Sequence, residues 1–262
     1  MLFKLIDPAE GEKKFFYDNF SEKDIGGMFN LTHLLYISAF FAAAALLIYF
    51  SRRLDAKGVY RARRISAIAV TVMEIIKVSL RIFKNQWYDS WIPLYFCSLY
   101  IFAIWFTFAK WEPLKRMGFA YITMGGIVAS AFFIIYPSTS LGIFPIWHPA
   151  SLHSFVYHLI MLYTGILILI KREYVPRKAD ALLYFIFILC ASLPSIYFNE
   201  TLGTNCMFLR HAFKLPILEP IINRSKYLYM AVVFLAQAVL MFWGNYFFYH
   251  VSTLIKRKDK KE

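Results

Sequence analysis

Between Trp147 and His158 the chain has no Lys, Arg, Asp or Glu, yet it holds three histidines: His148, His153 and His158. An apolar run from Leu159 to Ile170 follows directly and ends at Lys171-Arg172. His158 therefore falls inside an apolar helix, where an ionisable side chain is by default a functional-site hypothesis. Cys97 falls inside another such segment. A thiol and an imidazole at one depth can act as nucleophile and base. The thiolate is the reactive form, and burial alone disfavours it, so a nearby base is required. Ser154 stands four residues before His158 on the same helix face and is a rival nucleophile. His153 lies about 140° round the helix from His158, and His148 sits in a loop, so no metal site is expected.

Other polar groups can reach the same depth. Glu74, Lys77 and Arg81 share one face of a helix: Glu74 and Lys77 can pair, and Arg81 can snorkel outward. Such charges mark an ion path, a structural lock or a site that orients His158 or holds a cationic headgroup. His33 opens an apolar helix on the same side. The stretch 199–226 contains Gly203, Thr204, Asn205, Cys206, Pro216 and Pro220, and its length and turn residues predict a lid or cap.

These residues need a scaffold, and composition defines it. The 262 residues are 60% hydrophobic, with 27 Phe and 18 Tyr, and the mean hydropathy is +0.52. That excess predicts an all-α membrane protein, a bundle of about seven transmembrane helices. The apolar segments lie near 31–50, 65–83, 91–109, 118–136, 153–170, 180–198 and 227–250. Residues 1–30 are polar with interspersed aromatics and predict an interfacial segment without a cleavable signal peptide. The transmembrane domain then covers 31–250, and 251–262 is a basic tail. The net charge of +13 reflects Lys and Arg gathered in the first, third and fifth loops and the tail. That places the N-terminus outside and the C-terminus inside, and it argues against nucleic acid as a partner. Cys97, Cys190 and Cys206 show no paired spacing, so neither disulfides nor zinc are expected. Asn30, Asn199 and Asn223 each begin an N-x-S/T triplet, read here as chance.

With helix three starting near Trp91 and helix five near His153, Cys97 and His158 lie roughly 9 Å and roughly 8 Å below the same interface. Helices three and five are then expected to be neighbours. Cys97 and His158 should face a pocket walled by Tyr100, Phe155 and Tyr157, with Glu74 below and the 203–208 loop above.

The order Glu74, Ile92-Pro93-Leu94-Tyr95-Phe96-Cys97, Ser154-Phe155-Val156-Tyr157-His158 and Gly203-Thr204-Asn205-Cys206-Met207-Phe208-Leu209 resembles the bacterial YwaF-like family of integral membrane proteins. The opening Phe29-Asn30-Leu31-Thr32-His33-Leu34 is similar too. That family is in turn similar to a eukaryotic multi-pass acyltransferase of ether phospholipids. The resemblance implies Cys97 and His158 as catalytic residues and membrane lipids as partners. The expected activity is lipid acyl transfer through a thioester, without a cofactor: no Walker or Rossmann glycine pattern occurs. Glu74, His33, Asn205, Ser154 and Tyr157 are expected at the substrate, with Asn205 or its neighbouring N–H groups steadying the oxyanion. Two other classes stay open: a small-solute or ion transporter or channel, suggested by Glu74 and Lys77, and a non-catalytic membrane accessory protein. The charge distribution makes one direct prediction. A Lys57→Cys substitution should be labelled by impermeant maleimide only in opened membranes, and labelling of intact cells would reverse the orientation.

Overall fold

The computed structural model describes residues 25–83, 92–212 and 215–258. Most of the expected interfacial segment, Lys84, Trp91, Lys214, the last four residues of the basic tail and the side chain of Arg81 lie outside the described residues. The described residues form helices and connecting turns without a strand. The principal elements are α1 (Leu31–Ser51), α2 (Ala56–Phe83), α3 (Cys97–Phe106), α4 (Glu112–Ile135), α5 (Pro149–Ile170), α6 (Asp180–Thr201), the short α7 (Glu219–Arg224) and α8 (Lys226–Val251, continuing to Lys258). Five of them, α1, α4, α5, α6 and α8, are long and apolar enough to cross a membrane. Of the other two expected spans, α2 is long but charged, and α3 is apolar but short.

Capping chemistry explains where the boundaries differ from hydropathy. α2 begins at Ala56 because Asp55 accepts the Gly58 N–H at 2.7 Å, well before the apolar half. α5 begins at Pro149: the preceding His148 accepts the Ala150 N–H at 3.2 Å, and proline suits the first helical position. α3 begins only at Cys97, in a 3₁₀ turn, because Ile92–Phe96 are not helical.

α5 is central and packs against α1, α2 and α4; α4 in turn packs on α3 and α6. Close approach is bought by small residues. A Cβ on Gly118 would strike the Ala103 carbonyl of α3, and one on Gly165 would strike Ile127 and the Ile122 carbonyl of α4. Two helices contain π segments, Tyr121–Gly126 in α4 and Ala236–Leu240 in α8. Widened turns leave backbone carbonyls without ladder partners. Asn245 donates to the Thr123 carbonyl at 2.6 Å, and Tyr184 donates to the Gln237 carbonyl at 2.9 Å.

One end of the bundle is closed by ion pairs. Arg63 donates to Glu173 at 2.7 Å and to the Thr107 carbonyl at 2.9 Å. Burial pushes the Glu173 carboxyl up, and Arg63 draws it partly back. The 2% exposed Asp180 accepts two bonds from Arg116, at 2.7 and 2.5 Å, and one each from Tyr174 and the Arg177 N–H. Removing one partner of such a buried pair strands the other. Asp180→Ala should cost about 3–5 kcal/mol, read as a lower melting temperature of the detergent-solubilised protein, and Asp180→Asn should cost less.

Candidate functional site

The opposite end holds a cavity of about 670 Å³. The C-terminal half of α2, residues 95–98, the end of α4 with its following loop, and the first turns of α5 contribute to its wall, with Phe208, Gln237 and Met241. Among the sequence-predicted residues, Cys97, His158, Glu74, Ser154 and Tyr157 line it, together with Lys77.

Cys97 is held there by the non-helical segment before it. Tyr121 donates its hydroxyl to the Phe96 carbonyl, Tyr157 donates to the Ser98 carbonyl at 3.3 Å, and the Met207 N–H donates to the Leu94 carbonyl at 3.0 Å. The half-buried thiol therefore sits at the first turn of α3.

His158 lies in the third turn of α5 and is buried. Its ring stacks on Phe133, with centroids 3.7 Å apart and planes 7° from parallel. Nδ1 lies 2.7 Å from the Ser154 carbonyl. A carbonyl only accepts, so Nδ1 carries the hydrogen and Nε2 keeps its lone pair. Nε2 is buried and has no hydrogen-bond partner among the described residues. This is the tautomer a general base needs.

Several expectations require correction. The depth argument placed helix starts near 91 and 153, whereas α3 starts at Cys97 and α5 at Pro149. The two residues share a cavity although they stand in different turns of their helices. No hydrogen bond joins Cys97 to His158, whose Nδ1 is held by Ser154 and whose Nε2 is free. α3 and α5 meet through Tyr157, which reaches Ser98 and lies edge-on to Tyr100 at 5.9 Å. Phe155 faces away from the cavity and packs on Tyr36 and Phe40 of α1. Glu74 does not orient His158: it pairs with Lys77 at 2.5 Å and stands 3.7 Å from Nε2 of His153.

His33 and Asn205 are not among the residues lining the cavity. Nε2 of His33 bonds the Ile134 carbonyl at 2.9 Å, near the C-terminus of α4, and Nδ1 accepts the Phe29 N–H at 3.0 Å. The ring thus satisfies a helix-end carbonyl and ties α1 to α4. Asn205 accepts the N–H groups of Arg210 and His211, both at 3.0 Å, and so staples its own turn. The N–H groups of Cys206 and Met207 are bonded to Asn199 and Leu94, which removes them as oxyanion donors. From the 203–208 loop only Phe208 reaches the cavity wall. Asn199 is 2% exposed and holds the Cys206 backbone, so it cannot carry a glycan in this fold.

Gln237 is a lining residue that the sequence reading missed. Its Nε2 donates to the Met207 carbonyl at 2.9 Å, while Oε1 is buried without a partner among the described residues. An amide within the apolar run 227–250, which also holds Asn245, was the available signal. Phe133, the stacking partner of His158, offered none, being one apolar residue among many. Among the described residues no three His, Cys, Asp or Glu side chains come together as a metal site.

Fold and site together define a multi-pass membrane protein, helical over its described residues, with a largely apolar cavity at one end of its bundle that carries a few polar side chains. The chain matches the TMEM164 family over residues 28–249, nearly its whole length, and belongs to that family. The motifs had pointed to the YwaF-like family; the family matched is TMEM164. Neither a curated protein nor a solved structure matches the chain.

The Glu74–Lys77 pair gives the prediction of this section. Lys77→Met leaves the 5% exposed Glu74 without its cation. It should lower stability by about 2 kcal/mol or more, and the double variant Glu74→Gln/Lys77→Met should recover most of that loss. A thermodynamic cycle from thermal melts measures the coupling.

Proposed function

We propose that the protein is a lipid acyltransferase acting through a Cys97 thioester, as the resemblance to YwaF-like and ether-phospholipid acyltransferase proteins implies. The observation that carries this reading is the free Nε2 of His158 in the cavity that Cys97 also lines. The Cys97 thiol gives its proton to His158 as sulfur attacks the ester carbonyl of a phospholipid. The C–O bond then breaks, and the lysolipid alkoxide leaves with the proton from His158. In the second half, His158 takes the hydroxyl proton of an acceptor lysolipid, whose oxygen attacks the thioester. The C–S bond breaks, and the proton returns to Cys97. The gap between thiol and imidazole closes on substrate binding, as apo geometries of catalytic pairs commonly do. Every atom is accounted for between two lipids, so no cofactor enters.

The proposed topology is seven spans within 31–250, with α2 and α3 as the charged and the short span, the N-terminus outside and the basic tail inside, in the cell membrane. The cavity then opens toward the outer leaflet. A transporter reading needs a continuous path, and at the far end the Arg63–Glu173 and Arg116–Asp180 pairs tie the loops together.

Purified protein in vesicles holding a labelled diacyl phospholipid and an unlabelled lysophospholipid provides the test. Label should move to the acceptor. Cys97→Ala should abolish transfer, and His158→Gln should slow it by about a hundredfold or more. Transfer that persists in Cys97→Ala would overturn the reading.

A further inference from the structure

A cavity of about 670 Å³ has the size that suits a drug-sized ligand. A two-chain phospholipid is larger, so a lipid whose ester reaches Cys97 must pass at least one chain out through the wall. The helix seam between α4 and α8 offers a place. On its far side lies a second, smaller hollow, lined by Val128, Ala236, Leu240, Met241, Gly244 and Phe248, with Asn245 at its edge. Met241 lines both spaces. On α4, Val128 faces the groove and Ala129 the cavity. On α8, Ala236 faces the groove and Gln237 the cavity. Met241 is thus common to the walls of both spaces, and its flexible thioether is well suited to moving aside.

The groove also accounts for a glycine that packing does not. Gly244 sits within an apolar helix, where glycine is less favourable than alanine, yet a Cβ there would meet nothing within 4 Å. Gly118 and Gly165 allow helices to touch, but Gly244 leaves space. Leu240 and Phe248 are largely exposed, so the groove opens sideways onto the lipid-facing surface. Next to Ala236 of the groove, Gln237 lines the cavity, and its Oε1 has no partner among the described residues.

We propose that this groove is the acyl-chain site of the reacting phospholipid, joined past Met241 to the Cys97 cavity. The inference rests on the acyl-transfer reading for what the chain is attached to. The ester and headgroup occupy the cavity, and the fatty tail lies between α4 and α8. The groove is lined by apolar residues with Asn245 as its one polar member, so it selects by chain length and not by headgroup.

Two measurements test it. Gly244→Trp and the milder Gly244→Leu fill the open space. Transfer from dioleoyl phosphatidylcholine should fall by about tenfold in Gly244→Trp, since each displaced methylene weakens binding, while transfer from dioctanoyl phosphatidylcholine should stay within about twofold. An equal loss on both donors, or no loss on either, overturns the proposal. The second measurement is independent of turnover. A phosphatidylcholine with a diazirine at the end of one acyl chain should crosslink saturably to the peptide spanning 236–248, equally in wild type and Cys97→Ala, and less in Gly244→Trp. Crosslinking there without any acyl transfer would fail the enzyme reading and keep the chain site. Acyl transfer with no crosslink in the groove would do the reverse. A Gly244→Trp substitution that converts a dimer to a monomer would assign the groove to a second copy and overturn the lipid assignment.

Discussion

Inside hydrocarbon, a backbone carbonyl has no water to fall back on, and leaving it unpaired costs several kcal/mol. Regular helices meet this constraint automatically; irregular ones need side chains. The bundle departs from the regular ladder before α3 and in the π segments of α4 and α8. Side chains from other elements cover each departure. Tyr121 and Tyr157 hold the carbonyls of Phe96 and Ser98, Asn245 holds that of Thr123, and Tyr184 holds that of Gln237. Two of these irregular segments, that before α3 and that in α8, border the large cavity. The freedom to place Cys97 and Gln237 on its wall therefore depends on polar residues supplied from neighbouring helices.

Much of this was legible in the sequence where the signal was local. Apolar runs located α1, α4, α5, α6 and α8, because a span of lipid-facing residues reads the same in sequence as in the fold. The ends were less legible, since Asp55 and His148 set them through hydrogen bonds that hydropathy does not record. Among the polar residues, Cys97, His158, Glu74, Ser154 and Tyr157 were placed at one site, and they share one cavity. His33 was placed there by depth and Asn205 by its position in the predicted lid, but backbone groups claim both. Depth is a single coordinate. It tells how far a residue lies from the interface and leaves open which neighbour it turns toward. Gln237 shows the converse, an amide overlooked because nothing beside it in sequence hints at a cavity.

The two ends of the bundle divide the polar work. At one, Arg116 and Asp180 meet in short, mutually satisfied contacts, and Arg63 holds Glu173 although its Nε and the carboxylate's Oε2 have no partner among the described residues. At the other, polar atoms are left partly unsatisfied, notably His158 Nε2 and Gln237 Oε1. Satisfied polar clusters rigidify a fold, and unsatisfied buried atoms raise its energy until a ligand supplies a partner. The closed end can stabilise the scaffold while the open end stays prepared for binding.

The π segment in α8 carries information of another kind. A π turn holds one residue more than an α turn, so it changes the rotational phase of everything that follows. Wound as an uninterrupted α ladder, the same residues would set the helix beyond Leu240 about 100° out of turn relative to the part before Ala236. Asn245 could then no longer meet the Thr123 carbonyl while Gln237 still met Met207. The composition of the helix would be unchanged, and its hydropathy would stay that of a spanning segment. What would be lost is the phase relation between its two halves, so the site is encoded here by the winding of the helix as much as by residue type.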